Sequence, residues 1–145
     1  MPFKYNPFTG TLDYNPPKST MNSATSLQVT RTALEEIFSG ECVMSSSASE
    51  VRLATNDQTV DKALVLGIAV NHALPGENVT VVIMGVINNS NYSAFTLNSP
   101  LFLDSNGGIT DVRPVLPTSK YLLQVAKSLG SNSIFIQIET PTQLA

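Results

Sequence analysis

The chain has 145 residues, of which 42% are hydrophobic and 13% charged, and its formal net charge is -3. This length suits one domain with an appendage. Eight scattered Lys and Arg residues in an acidic chain argue against nucleic acid as a partner. One cysteine excludes both an internal disulfide and a cysteine-rich zinc site. No apolar run is long enough to span a membrane, and the start lacks a basic segment leading into an apolar run, so we expect no membrane partner and no signal peptide.

The first 26 residues differ in composition from the rest and predict an extended N-terminal arm. They contain four prolines, which favour extended backbone, and a turn signal at "PFTG". They also carry four large aromatic residues, whose exposure to water is unfavourable. We therefore predict that the arm docks on a partner, with a frayed terminus as the alternative. The residues predicted to bind the partner are Phe3, Tyr5, Phe8, Leu12 and Tyr14.

The segment that follows the arm combines a strand signal with a helix signal. "SLQVT" alternates polar and apolar residues, as a strand does. "TALEEIF", residues 32–38, predicts one short helix with Thr32 as its N-cap and Glu35 as the capping-box partner. Gly40 would end this helix.

From residue 42 onward the sequence alternates between strand and turn signals. The turns fall at segments such as "LPGEN" and "DSNGG". The expected strands lie near "ECVMSS", "EVRLAT", "ALVLGIAVN", "NVTVVIMGVI", "SAFTLN", "PLFLD", "YLLQVAKSL" and "SIFIQIE". Short runs of this kind predict an all-β domain over residues 27–145, an antiparallel sandwich or barrel that is jelly-roll-like.

No group of residues in the sequence predicts catalysis. His72 is the one histidine, has no obvious partner and is expected at a turn on the surface. Cys42 lies in an apolar strand and is expected to be a small buried side chain. "DSNGG", residues 104–108, lacks the final Glu of a calcium loop and is better explained by turn chemistry. We expect no enzyme activity, no cofactor and no metal.

Two parts of the chain resemble a known family. The pattern of glycine turns and apolar strands lies at Gly67, Ala69, Gly76, Glu77, Val79, Val81, Gly85, Leu101, Leu103, Gly107, Gly108, Ile109, Val125, Ala126 and Leu129. The opening phrase adds Tyr5, Asn6, Pro7, Phe8, Thr9, Gly10, Leu12 and Asp13. The chain is thereby similar to tailed-phage structural proteins of the head decoration (cement) and head fibre type. Lys127 departs from that pattern, which tends to have a small or apolar residue there.

The resemblance implies a virion protein, made in the host cytoplasm, on the outer surface of the capsid. It would bind and stabilise the shell of major capsid protein, with its arm docking on the capsid or on neighbouring subunits. The absence of a collagen-like or long linker favours a compact cement protein over a long fibre. Local threefold sites favour a homotrimer, with a dimer as the alternative.

Two rival functions stay open at this point. The first is a tail-fibre or receptor-binding component that contacts the host surface, for which Tyr92 and Phe95 in "NNSNYSAF" are the candidate residues. These two residues have an alternative interpretation as core and strand-edge packing. The second rival is a glycan-active enzyme on the virion, which the missing catalytic residues disfavour.

Overall fold

The computed structural model describes residues 26–145 and, before them, the backbone of two short strands. The described residues contain no α-helix, and their helical elements are 3-10 turns at Asp61–Ala63, Ser90–Tyr92 and Ser105–Gly107. The strands are β1 Phe3–Asn6, β2 Thr11–Tyr14, β3 Ser26–Ala33, β4 Cys42–Ser45, β5 Glu50–Leu53, β6 Val65–Ala69, β7 Asn78–Asn88, β8 Pro100–Leu103, β9 Ile109–Thr110, β10 Tyr121–Leu122, β11 Gln124–Gly130, β12 Ser133–Ile136 and β13 Thr142–Gln143. The predicted all-β class is confirmed.

Five strands of the main sheet close into a small barrel. Neighbouring strands follow the order β3–β5–β4–β6–β7, and β7 also pairs with β3, which closes the ring. The pairings are antiparallel except for β3 with β5. The β3–β7 pairing is the longest, with seven residue pairs from Ser26–Gly85 to Thr32–Asn78. Closure removes the free strand edges that an open sheet would expose.

Strand β7 belongs to the barrel and to a second sheet. It has 11 residues and continues beyond the end of its pairing with β3. Val82 pairs with both β6 and β3, whereas Gly85 pairs with both β3 and β12. Strands β6 and β12 therefore follow one another along the same edge of β7, opposite β3. From β12 the second sheet continues through β11 and β8 to β9.

Adjacent residues of strands β4, β6 and β7 face two different cores. One core fills the barrel, and the other lies between the barrel and the second sheet. In each of the following pairs the second residue faces the barrel interior: Cys42 and Val43, Ile68 and Ala69, Val82 and Val81. Strands buried on both faces are apolar at nearly every position. This explains the almost continuous apolar runs in "ALVLGIAV" and "NVTVVIMGVI".

A β-bulge separates the barrel part of β7 from its extension. Leu27 pairs with Met84, but the next residue of β3 pairs with Val82, so Ile83 is an extra residue on β7. A bulge of this kind shifts which residues face each side of a strand. As a result, Met84 lies on the side of the sheet that faces the core inside the barrel.

Most of the strand predictions are confirmed, and one is wrong. Seven of the eight segments predicted after residue 42 contain strands, and "SLQVT" lies within β3. "SAFTLN", residues 93–98, forms turns instead. The Asn89 side chain caps the preceding 3-10 turn by accepting a hydrogen bond from the Asn91 N–H, and Asn98 has a positive φ of 67°. Such side-chain bonds compete with strand pairing.

The short helix predicted for residues 32–38 is also wrong. In a helix the Ile37 N–H would donate to the Ala33 carbonyl. Instead, Ile37 exchanges hydrogen bonds with Ala73, and the Ala33 carbonyl accepts from Gly76 at 2.7 Å. The Leu34 N–H donates to Val51. Tertiary strand pairing has therefore taken the backbone groups that a helix would use.

Lys127 shows why the resemblance pattern can vary in the last hairpin. It lies in β11, pairs with Phe135 of β12 and is exposed. A charged side chain is tolerated there because it is exposed on the side of the second sheet opposite that sheet's core. The hairpin itself forms with a register shift between Ser128 and Gly130.

A glycine substitution tests the contact between β6 and β7. A Cβ atom added at Gly67 would lie 2.3 Å from the Val82 carbonyl oxygen and 2.7 Å from Val81 Cγ1. Because backbone cannot move aside cheaply, we expect Gly67→Ala to lower the free energy of unfolding by about 3 kcal/mol or more. Urea denaturation followed by circular dichroism measures this loss.

Gly76→Ala is the matched control. No atom lies within 4 Å of a Cβ at Gly76, but its φ of +88° disfavours any other residue. The expected cost is about 1–2 kcal/mol. A smaller loss for Gly67→Ala than for Gly76→Ala would contradict the tight β6–β7 contact.

Candidate partner-binding surfaces

The residues predicted to bind a partner lie in the N-terminal hairpin formed by β1 and β2. The backbone register sets Phe3 opposite Tyr14 and Tyr5 opposite Leu12. Residues that are opposite one another or two apart share a face of a sheet, so these four positions lie on one face. Phe8 and the rest of "PFTG" lie outside the described residues. The other face of the hairpin holds Lys4, Asn6, Thr11 and Asp13.

The described domain has an exposed group of large apolar side chains on strands β3, β7 and β12. Leu27 pairs with Met84, and Val86 pairs with Phe135. Met84 and Val86 are two residues apart in β7 and therefore lie on the same side. Leu27 is 60% exposed and Met84 is 59% exposed. We call Leu27, Met84, Val86 and Phe135 the apolar sheet face.

The apolar sheet face continues the core of the barrel beyond the open end of the ring. Leu27 is two residues from Val29, which packs against the barrel core. Leu66 also packs against that core, and it lines a groove of about 360 Å³ together with Met84 and Phe135. The groove lies between β6 and β12, which pair with successive stretches of the same edge of β7. An apolar surface of this kind, rimmed by a groove, is typical of a docking site.

The strands that form the apolar sheet face are almost free of charge. Strands β3, β7 and β12 contain no Asp or Glu, and Arg31 is their one charged residue. The chain as a whole carries a net charge of -3, so its acidic residues lie in other segments. Another acidic protein, including a second copy, would meet less electrostatic repulsion here than elsewhere.

A second exposed group lies near Ala73, beyond the other end of β7. Phe38 stacks on the ring of His72, with centroids 4.8 Å apart, and His72 Nε2 lies 2.9 Å from Glu36 Oε1. His72 is therefore on the surface, as the sequence predicts. The stack fixes one face of the half-exposed Phe38 ring. This arrangement can contact a partner, but the described residues place no nucleophile in hydrogen bond with His72.

The structure places Tyr92 and Phe95 in the second core rather than at an exposed loop tip. Tyr92 is buried, its hydroxyl donates to the Gly40 carbonyl at 3.0 Å, and its ring stacks with Phe95. Both residues reach one side of a groove of about 240 Å³ that also includes Glu41. The packing interpretation of these two residues is thus confirmed.

Burial controls the ionisation of three groups in this region. Loss of hydration raises the pKa of the Glu41 carboxyl, although a hydrogen bond from the Phe38 N–H acts to lower it. Repulsion from Glu35 and Glu36 raises this pKa further. Burial likewise raises the pKa of the Cys42 thiol and of the Tyr92 hydroxyl. Cys42 is fully buried, as predicted, so its thiol is not placed to act as a nucleophile.

The described part of the chain contains no cluster of metal ligands and no helix that could cross a membrane. Within it, no group of three or more His, Cys, Asp or Glu residues could hold a metal ion. Its helical elements include none that is long and apolar enough to cross a membrane.

The apolar sheet face was not among the predicted site residues. Met84 and Val86 lie in "NVTVVIMGVI", where nearly every residue is apolar, so alternation does not reveal which side is exposed. The deciding feature is the bulge at Ile83, which has no sequence signal of its own. Gly85, whose φ is 125°, is the one hint that the strand is irregular there.

These features define an all-β protein with a closed barrel and exposed apolar surfaces suited to docking. No family model matches the chain, and neither does any curated protein. Among solved structures, the chain is similar to the head fiber gp8.5 N base of bacteriophage phi29, at 12% sequence identity and a TM-score of 0.45. The match covers 82% of this chain and 98% of that one. A likeness this distant leaves the function to be inferred from the chain's own residues.

Burial of the Cys42 thiol and the Tyr92 hydroxyl predicts how the stability of the fold depends on pH. In the folded state Cys42 and Tyr92 have raised pKa values, so they keep their protons at pH values where the unfolded chain loses them. The contribution is constant below the ordinary thiol pKa of about 9, and stability falls as the pH rises above it. Each group contributes a limiting slope of about 1.4 kcal/mol per pH unit above its own ordinary pKa, which is 9.0 for the thiol and 10.0 for the tyrosine hydroxyl.

Chemical denaturation between pH 7 and pH 10.5 measures this slope. Tyr92→Phe removes one of the two groups and should make the curve shallower above pH 10, although it also loses the hydrogen bond to Gly40. A stability curve that stays flat to pH 10.5 in the unmodified protein would contradict the burial of both groups.

Proposed function

We propose that this chain is a capsid decoration protein of a tailed phage. It binds the outer surface of the shell of major capsid protein and stabilises it through apolar and backbone contacts, with the N-terminal arm docking on the capsid or on a neighbouring subunit. The observation that carries the proposal is the N-terminal hairpin, whose register sets Phe3, Tyr5, Leu12 and Tyr14 on one face. The resemblance of the chain's turn and strand pattern to head decoration and head fibre proteins supports it.

The hairpin is chemically suited to attachment. Burying one large apolar side chain contributes about 1.5–3 kcal/mol. Four such positions on one small sheet can together offset part of the cost of association, which is about 4–15 kcal/mol. Two strands already hold these positions in register, so less conformational entropy is lost on docking than for an unpaired tail.

A repeated shell makes weak single contacts sufficient. Copies that are bound side by side and linked to one another raise the effective concentration of each contact, so avidity exceeds the affinity of one contact. Stabilisation then comes from contacts that cross the boundaries between shell subunits. A closed barrel suits this role because its paired strands and packed core keep the domain rigid while its surface contacts the shell.

Binding to undecorated phage particles tests the proposal, with variants matched across the hairpin. Phe3→Ser with Tyr14→Ser removes one opposing pair from the apolar face, and Lys4→Ser with Asp13→Ser removes the neighbouring pair from the polar face. We expect the first double variant to bind at least about 30-fold more weakly, from the loss of two aromatic contacts. The second should bind nearly as well as the unmodified chain. Co-sedimentation with particles measures both.

The number of copies on purified particles separates this function from its rival. A decoration protein should be present in hundreds of copies, since it follows the repeat of the shell. A tail-fibre or receptor-binding component should be present in roughly a dozen. Equal binding by both double variants, or a copy number of the second kind, would contradict the proposal.

A further inference from the structure

We propose that the apolar sheet face receives the N-terminal hairpin of a neighbouring copy of this chain. The inference rests on the proposed function in one respect, since that function brings copies side by side. It adds the surface that accepts the arm. The hairpin and the face would then form one contact, repeated from copy to copy.

The two surfaces match in character and size. The face presents four large apolar residues on three adjacent strands, and the hairpin has four apolar positions on two strands. Neighbouring strands lie about 4.8 Å apart, so each surface is roughly 5–10 Å wide. Sheets that pack face to face bury apolar side chains between them in this manner. Neither surface includes a charged residue at its centre.

The arm joins the domain at the end that carries the apolar sheet face. Strand β3 begins at Ser26, and the next residue, Leu27, belongs to the apolar sheet face. Residues 15–25 join the hairpin to Ser26, and eleven residues can span roughly 36 Å. The face itself lies within about 10 Å of that point. The arm is therefore long enough to pass its own face and reach that of a neighbour.

The sequence behind the hairpin favours a neighbour over the same chain. Pro16 and Pro17 directly follow the hairpin, and prolines favour extended backbone in and before them. Backbone restricted in this way disfavours the sharp chain reversal that docking on the same chain would need. Exchange of an identical element between copies is a common route to a closed oligomer.

Charge also favours a second copy as the occupant. Two copies with a net charge of -3 repel one another over most of their surfaces. The strands of the apolar sheet face lack acidic residues, so approach is less opposed there than beside the acidic loops. The contact is therefore open to another molecule of the same protein.

Cross-linking between two differently marked chains tests the contact. Leu12→Cys is placed on the hairpin of one full-length chain and Met84→Cys on a second, differently tagged chain, and the two are co-expressed and mildly oxidised. The native Cys42 is fully buried and does not compete. We expect a disulfide-linked pair of the two chains in a yield at least about tenfold above that of the controls.

Two controls use positions that the contact excludes. Asp13→Cys replaces Leu12→Cys on the opposite face of the hairpin. Leu74→Cys replaces Met84→Cys at an exposed leucine, 46% accessible, in the loop that precedes β7. If Met84→Cys lowers the yield of folded protein by circular dichroism, Leu27→Cys serves in its place. Yields equal to those of the controls would overturn the proposal.

A single chain with both Leu12→Cys and Met84→Cys separates exchange from self-docking. Disulfides that form only within one chain, with no linked pairs, would overturn the proposal. Linked pairs that are converted to single chains by reductant support it. The readout does not depend on a capsid. Linked pairs from a chain that fails to bind particles would therefore support this contact and contradict the proposed function. Particle binding by a chain that forms no linked pairs would overturn this contact and leave the proposed function standing.

Discussion

The structure depends on one strand that is shared by two sheets. Strand β7 closes the barrel against β3 and then continues as the first strand of the second sheet. Its residues must therefore fill two cores on opposite faces, which is why Val81 and Val82 are both buried. Close approach of β6 to this strand leaves no room for a side chain at Gly67. The packing of both halves of the molecule is thus coupled through a single element.

The same strand produces the exposed apolar surface. Because Ile83 is an extra residue in β7, Met84 and Val86 lie on the side of the sheet that faces the barrel core, but beyond the end of the ring. Met84 and Val86 are apolar like the rest of their run in β7, but they are exposed because no strand of the described domain covers them. This surface, the N-terminal hairpin and the low charge of the chain all favour docking to protein over chemistry on a small molecule.

Local pattern predicted much of the fold. Turn residues such as Gly76 and alternating runs located most of the strands, and the buried Cys42 followed from its apolar surroundings. The failed helix prediction has a long-range cause. "TALEEIF" carries a helix signal, but Ile37 and Ala33 give their backbone groups to partners distant in sequence. Long-range pairing overrides local preference when it satisfies the same donors and acceptors.

The sequence by itself determined the all-β class, the apolar character of β6 and β7 and the aromatic composition of the N-terminal arm. These are properties of residue type and short-range order, which local sterics and hydrophobicity control. The tertiary structure alone decided that β7 joins two sheets, that Tyr92 is buried and that Leu27, Met84, Val86 and Phe135 form one exposed face. Each of these depends on which distant strands pair and where a bulge shifts the register, and no local segment encodes that choice.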